Sequence, residues 1–139
     1  PATKMSKSRS SPQGKILVLE PPDAISRKIR RAVTDTGTEV RYDPAGKPGV
    51  SNLLELLSVA TGTPPEDLAG RYQQYGALKA DTAAAVVEFL RPLQRRYAEI
   101  AADPGSVMDV LAKGADKARE VAAATYARAR RAMGLLPRG

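Results

Sequence analysis

Apolar residues recur every three or four positions through the second half of the chain, and this spacing predicts long amphipathic helices. One such helix is predicted from about Leu78 to Ala102. Its apolar face consists of Leu78, Thr82, Val86, Phe89, Leu93, Tyr97 and Ile100. Because a proline inside a helix removes a hydrogen bond and clashes with the preceding turn, Pro92 predicts a kink or a break near residues 88–92.

A last helix is predicted to begin at Asp103-Pro104 and to be closed by Gly134. Small and apolar residues share one of its faces: Val107, Leu111, Ala115, Ala118, Ala122, Thr125, Ala129 and Met133.

The first half of the chain predicts shorter elements. Residues 1–15 are rich in Ser, Lys, Pro and Gly and favour a loop, and the apolar run Ile16–Leu19 predicts a short extended segment. Three helices are predicted to follow. The first has Asp23 as its N-cap and apolar residues at Ile25, Ile29 and Val33, and it ends before Gly37. The second covers about Ser51–Thr61 and is stopped by Gly62, and the third runs from a capping box, Thr63-Pro64-Pro65-Glu66, to about Gln74. The second helix carries leucines at positions 53, 54, 56 and 57, too dense for a surface helix, which predicts that it is central to the core.

Composition narrows the class of protein. The 139 residues are 42% hydrophobic but only 4% aromatic, so the core is built from aliphatic side chains, which favours a mainly α-helical fold with one core. The chain has no Cys and no His, so only oxygen atoms could serve as ligands to a metal ion. This excludes zinc and haem sites of the usual kind. No apolar run approaches the roughly 20 residues that span a bilayer, so we expect a soluble, cytoplasmic protein without a membrane partner.

The net charge of +7 is concentrated at the two ends of the chain. Residues 1–50 hold 10 basic and 5 acidic side chains, residues 51–103 hold 5 and 7, and residues 104–139 hold 7 and 3. On the last helix, four basic residues fall within about 60° of one another: Lys113, Lys117, Arg128 and Arg131. This basic stripe favours contact with an RNA backbone, although solubility and interaction with the helix C-terminus explain such residues equally simply.

Five residues near the start form the most specific candidate site: Lys4, Met5, Ser6, Lys7 and Ser8. Two lysines among small hydroxyl residues provide flexible donors for a polyphosphate. A basic, serine-rich arm without a ligand has the same composition and is the competing interpretation.

These five residues match the KMSKS signature loop of class I aminoacyl-tRNA synthetases, and the downstream sequence resembles the tryptophanyl-tRNA synthetase family over essentially its whole length. The matching segments are Ser11-Pro12-Gln13-Gly14, Ile16–Leu19, Ile25–Ile29, Ala32-Val33-Thr34-Asp35, Tyr42-Asp43-Pro44, Lys47-Pro48-Gly49-Val50-Ser51-Asn52-Leu53-Leu54, Tyr75-Gly76-Ala77-Leu78-Lys79, Leu90-Arg91-Pro92-Leu93-Gln94 and Arg131-Ala132-Met133-Gly134-Leu135. The second, histidine-containing signature of the class has no counterpart here. The resemblance therefore implies the C-terminal portion of a synthetase, from the KMSKS loop onward.

The resemblance implies a helical bundle that forms the anticodon-binding region, with an N-terminal loop and a final helix belonging to a Rossmann-type α/β catalytic domain that is mostly missing. The implied divisions are residues 1–20 (loop and end of the catalytic domain), 21–103 (anticodon-binding region) and 104–139 (final helix). It implies an ATP-dependent ligase that activates tryptophan and charges its tRNA, with Lys4 and Lys7 as catalytic residues, residues 4–8 at the ATP and Mg²⁺ arriving with the nucleotide. The parent enzyme is expected to be a homodimer, and this segment alone is expected to be inactive.

A second function is compatible with the same residues. The basic N-terminal arm and the basic stripe could form a free-standing helical RNA-binding module without catalysis. The scarcity of aromatic residues for stacking on bases and the ordered series of synthetase-like segments argue against it.

Overall fold

The computed structural model describes residues 12–135, whose regular elements are all helical. A single turn of 3₁₀ helix, Pro12–Gly14, is followed by five α-helices: α1 (Pro22–Arg30), α2 (Pro48–Thr61), α3 (Pro65–Ala69), α4 (Tyr75–Ala101) and α5 (Pro104–Ala132). The mainly α fold predicted from the composition is confirmed. The chain divides into two compact units, residues 1–95 and 96–139, and the division falls within α4.

The core of the first unit is built around α2. Val50, Leu53 and Leu54 are fully buried and Leu57 is nearly so, which confirms the prediction from the dense leucines. The remaining buried apolar side chains come from α1, the following loop, α3 and α4: Ile25, Ile29, Val40, Leu68, Ala69, Leu78, Ala83 and Val86. Gly62 ends α2 with a φ of 73°, a left-handed conformation that glycine adopts without strain.

The first helix is shorter than its apolar spacing predicts. It ends at Arg30, and Val33, which was expected on its apolar face, is 87% exposed. The reason lies at the start of α2, where the backbone of Val33 and Thr34 lies against Gly49. A helix continuing to Gly37 could not place residues 33 and 34 there. Asp23 lies inside α1 rather than at its N-cap, which is Pro21.

Two other expectations for the first half of the chain are wrong. Residues 16–19 form no strand; they are irregular and end in a turn closed by the Glu20 N–H to the Leu17 carbonyl at 3.0 Å. The helix predicted from Thr63 to Gln74 is limited to α3, which has Pro64 as N-cap and no side-chain capping bond, so the capping box does not form. After α3 the chain continues through turns, with the Arg71 N–H donating to the Leu68 carbonyl at 3.0 Å, while Leu68 and Ala69 are buried in the core.

The long helix α4 is continuous through Pro92, so the predicted break does not occur. An internal proline costs about 3 kcal/mol, and burial of Leu78, Ala83 and Val86 on the same helix offsets such a cost. The predicted apolar face is confirmed only in its first half, since Leu78, Thr82 and Val86 are buried. Farther along the helix the same face is 42–54% exposed, at Phe89, Leu93, Tyr97 and Ile100.

Both ends of α5 follow the sequence prediction. Asp103 is the N-cap, and its Oδ1 accepts the Ser106 N–H at 3.2 Å. At the other end, the Gly134 N–H donates to the Arg131 carbonyl and the Leu135 N–H to the Arg130 carbonyl, the pair of bonds of a Schellman motif, with Gly134 at φ 69°. No described residue of α5 is buried.

Candidate functional site

The predicted nucleotide-binding residues, Lys4 to Ser8, lie outside the described residues, so their predicted roles stay predictions. The structure does describe the segment that follows them. Pro12–Gly14 form the 3₁₀ turn, and residues 15–20, here called the stem, lead from it into α1.

The stem is held by side chains of two helices. Lys28 on α1 donates to the Lys15 carbonyl at 2.9 Å and forms an ion pair with the Glu20 carboxylate. From α4, the Gln94 amide donates to the Val18 carbonyl at 2.7 Å and to the Glu20 carbonyl at 3.0 Å. These bonds satisfy backbone carbonyls that no helix or strand uses.

The basic residues of α1 and of its C-cap, Arg31, divide into two groups. Lys28 is half-buried and engaged with the stem, with 14% of its side chain exposed. Arg27, Arg30 and Arg31 are exposed. The cluster therefore offers three guanidinium groups to solvent, close in sequence to the candidate nucleotide-binding loop.

A polar network that the sequence reasoning missed joins three segments of the first unit. The Tyr75 hydroxyl donates to Asp35 Oδ1 at 2.6 Å, and Lys47 Nζ donates to the Tyr75 hydroxyl at 2.9 Å and reaches the Asp35 carboxylate at 3.3 Å. Nearby, Lys79 Nζ donates to Thr34 Oγ1 at 3.4 Å. The network links the α1–α2 loop to the residues that open α2 and α4. All of its members lie in segments that resemble the synthetase family, and this was the signal available in the sequence.

Electrostatics inside this network favour the charged forms of both ionisable partners. The hydrogen bond from Tyr75, followed by those from the Gly37 N–H and Lys47, lowers the pKa of Asp35 against the opposing effect of burial. The bond with Tyr75, and then the one with Asp35, raises the pKa of Lys47. The ammonium group also lies 5.6 Å from the centre of the Tyr75 ring. The network is therefore a fixed charged cluster at neutral pH.

The start of α2 is fixed by a turn and by a close backbone approach. The chain turns at Asp43–Gly46, with the Gly46 N–H donating to Asp43 Oδ1 at 2.9 Å and the Asp43 N–H donating to the buried Ser51 hydroxyl at 2.9 Å. A Cβ on Gly49 would lie 2.3 Å from the Val33 carbonyl oxygen. Only glycine fits there, which gives a physical reason for the glycine in the Lys47-Pro48-Gly49 segment.

The four residues of the basic stripe are all exposed on α5, and they extend over about 27 Å of helix. Lys113, Lys117, Arg128 and Arg131 thus have the spacing and accessibility needed to reach several phosphates of a nucleic acid. Arg119, on another side of the helix, pairs with Asp116 at 2.6 Å.

Two other classes of site are absent from the described part of the chain. No cluster of three or more acidic, histidine or cysteine side chains suited to a metal ion is found there. None of the described helices is both long and apolar enough to cross a membrane.

Comparison with known proteins agrees with the resemblance in the sequence. The family described as tRNA synthetases class I (W and Y) matches residues 1–91. Tryptophan–tRNA ligase 1 of Streptomyces coelicolor is 52% identical over 137 residues, which cover 99% of this chain and 41% of that relative. The tryptophan–tRNA ligase of Mycobacterium leprae is 49% identical over 139 residues and is covered to 40%. This chain therefore spans about two fifths of the length of the curated relatives.

A solved structure supports the same conclusion. The tryptophanyl-tRNA synthetase from Mycoplasma pneumoniae superimposes with a TM-score of 0.67 at 28% identity, covering 96% of this chain and 43% of that one. Together with the family match over residues 1–91, this places the chain among the class I tRNA synthetases of the tryptophan and tyrosine family, and both curated relatives named above are tryptophan–tRNA ligases.

Proposed function

We propose that this chain is part of an ATP-dependent tryptophan–tRNA ligase, to which it contributes the KMSKS loop and a helical region that binds the tRNA anticodon. The observation that carries the proposal is the 52% identity over 137 residues to a tryptophan–tRNA ligase. In the complete enzyme, a tryptophan carboxylate oxygen attacks the α-phosphorus of ATP, and the bond to pyrophosphate breaks. The tryptophanyl group then passes from the adenylate to the 3′ end of its tRNA. We expect a homodimer in the cytoplasm.

Lys4 and Lys7 act on the first of these steps. As pyrophosphate separates, negative charge builds on it, and two ammonium groups on a short loop neutralise that charge in the transition state. The backbone and hydroxyls of Met5, Ser6 and Ser8 complete the contact with the nucleotide, and Mg²⁺ enters bound to ATP. The exposed arginines of α1 add positive potential nearby.

The three parts of the chain have separate roles in this proposal. Residues 1–20 carry the loop and the end of the catalytic domain, residues 21–103 form the anticodon-binding region, and residues 104–139 form the helix that returns to the catalytic domain. The basic stripe of α5 contacts the RNA backbone. Its exposure over the whole helix supports this assignment.

The experiment is a chimera in which this chain replaces the matching region of the Streptomyces coelicolor ligase. We expect the chimera to catalyse tryptophan-dependent exchange of pyrophosphate into ATP, and the 139-residue chain alone to show none. Lys7→Ala should slow adenylate formation about 100-fold with little change in tryptophan affinity. Arg119→Ala removes the same charge outside the loop and is the control. A folded chimera without exchange activity, or a Lys7→Ala variant with an unchanged rate, would contradict the proposal.

The tRNA contact has its own test in the same chimera. Changing all four residues of the basic stripe to Gln should raise the KM for tRNA and flatten its salt dependence by about one unit of slope per lost phosphate contact, while exchange activity stays unchanged. Arg119→Gln is the matched control on the same helix. If tRNA binding is unaltered, the stripe serves only solubility. Tight RNA binding by the chain alone, with an inactive chimera, would favour the free-standing binding module.

A further inference from the structure

The turn Leu17–Glu20 within the stem buries little apolar surface. Leu17, Val18 and Leu19 are 44–54% exposed, so apolar burial holds the turn only weakly. Ile16, which precedes the turn, packs against the core. The Glu20 N–H donates to the Leu17 carbonyl at 3.0 Å and closes the turn. What fixes the turn Leu17–Glu20 must therefore come from outside it.

Lys28 on α1 supplies one such attachment through its ion pair with Glu20, and Gln94 supplies another from α4. A side-chain amide has two N–H donors, and this one directs them to the carbonyls of Val18 and Glu20, two residues apart on the same turn. Two bonds from one planar group restrict orientation as well as position. Gln94 is half-buried on a continuous helix whose first half is anchored in the core by Leu78 and Val86, so the group itself is well supported.

The clamped turn is close in sequence to the signature loop. Three residues, 9–11, separate Ser8 from the 3₁₀ turn, and Lys15 follows that turn directly. Lys28 on α1 holds this nearer end of the stem through the Lys15 carbonyl. Lys28 and Gln94 together thus hold the described segment that follows the signature residues in sequence. Catalysis by fixed charges is sensitive to position, since a displacement of about 1 Å can cost about 100-fold in rate.

We propose that Gln94 is a positioning residue for adenylate formation, because it clamps the stem that follows the KMSKS segment in the chain. The inference rests on the proposed function of residues 4–8. Gln94 does not touch substrate in this account. It acts through the stem, so its loss should lower kcat for activation while leaving the tryptophan site untouched.

The test uses the chimera with the Streptomyces coelicolor ligase. Gln94→Leu keeps the size of the side chain and removes both donors, and we expect it to lower kcat for pyrophosphate exchange about tenfold with an unchanged KM for tryptophan. Gln94→Arg, whose guanidinium carries several donors in a planar fork, should restore part of the rate. Arg91→Ala, on the same helix, removes only an exposed pair with Glu88 and should leave the rate unchanged.

A second measurement needs no catalysis. In the 139-residue chain, the Glu20 amide should exchange its hydrogen faster in Gln94→Leu than in the unmodified chain or in Arg91→Ala, because the turn it closes is no longer clamped. An unchanged exchange rate at this amide would overturn the inference. An unchanged kcat in Gln94→Leu would also overturn it. A raised KM for tryptophan would do the same if Gln94→Leu and Gln94→Arg lose equal amounts of exchange activity.

The failures are distinguishable. An unmodified chimera that folds but has no exchange activity contradicts the proposed function, and the inference falls with it. An active unmodified chimera whose Gln94→Leu variant is equally active overturns the inference alone.

Discussion

The two units of the chain are both helical, yet they use their apolar residues in opposite ways. Up to Arg95, apolar side chains from four helices are buried around α2. From residue 96 to 135, every described residue is exposed except Ala127 and Arg130, which are half-buried. Apolar periodicity is clear in both units. The contrast teaches that a helical apolar face predicts the helix, whereas burial of that face depends on other segments being close to it.

The largest difference in stability between the two units should appear when one leucine of each is replaced by alanine. Leu54→Ala opens a cavity in the core and should lower the free energy of unfolding by about 3–4 kcal/mol, whereas Leu111→Ala on α5, where the leucine is 59% exposed, should change it by less than about 0.5 kcal/mol. Urea denaturation followed by circular dichroism measures both. A large cost at Leu111 would mean that its face is buried in solution, and the contrast between the units would fail.

Replacing a glycine by alanine should change stability in opposite directions in the two units. Gly49→Ala forces a Cβ to within 2.3 Å of the Val33 carbonyl oxygen and should destabilise the first unit by about 2–3 kcal/mol. On α5, a Cβ on Gly114 meets nothing within 4 Å, so Gly114→Ala should strengthen the helix by about 1 kcal/mol. Denaturation detects the first change, and helical ellipticity on heating detects the second. A neutral Gly49→Ala would contradict the close approach of the loop to α2.

The smallest effect is a dependence of stability on pH that should be confined to the first unit. Asp35 has a pKa below its ordinary 3.8. Its contribution to the free energy of unfolding is therefore complete above pH 3.8 and is lost as the pH falls through the lowered pKa. Lys47 has a pKa above its ordinary 10.5, so its contribution is complete below that value and is lost as the pH rises through the raised pKa. Between these limits the network is fully formed.

The measurement is the difference in Tm between the unmodified chain and Asp35→Asn across this range. We expect a loss of a few degrees on substitution at neutral pH and a smaller difference below about pH 4. Asp116→Asn, at the exposed ion pair on α5, is the matched control and should change Tm little at any pH. A difference at Asp35 that stays constant down to low pH would rule out the charged network as its source.

The sequence predicted the helices best where a local signal marks their ends. Asp103 caps α5 through its own side chain, and Gly62 and Gly134 end helices because they adopt positive φ. The predictions failed where the end of a helix is set by distant residues. Val33 continues the apolar spacing of α1, but the chain turns away before it to reach Gly49.

The residues of the candidate site also fall into two classes: those that the sequence predicts, and those that only the folded structure brings together. The KMSKS residues and the basic stripe are predictions that the sequence makes from residue type and spacing alone. The stem clamp could not be predicted in this way, since Gln94 lies 76 residues from Val18 along the chain and no local pattern relates them. The network of Asp35, Lys47 and Tyr75 is equally remote in sequence, its hydrogen bonds spanning 40 and 28 positions.

The sequence by itself determined the helical class, the strong caps, the leucine-rich centre of the core and the family, because each depends on residue type at short spacing. The tertiary structure decided where α1 and α3 end, which half of the α4 apolar face is buried and which polar side chains hold the stem. These depend on backbone groups brought together from distant positions, and their hydrogen bonds and close contacts exist only once the helices have packed.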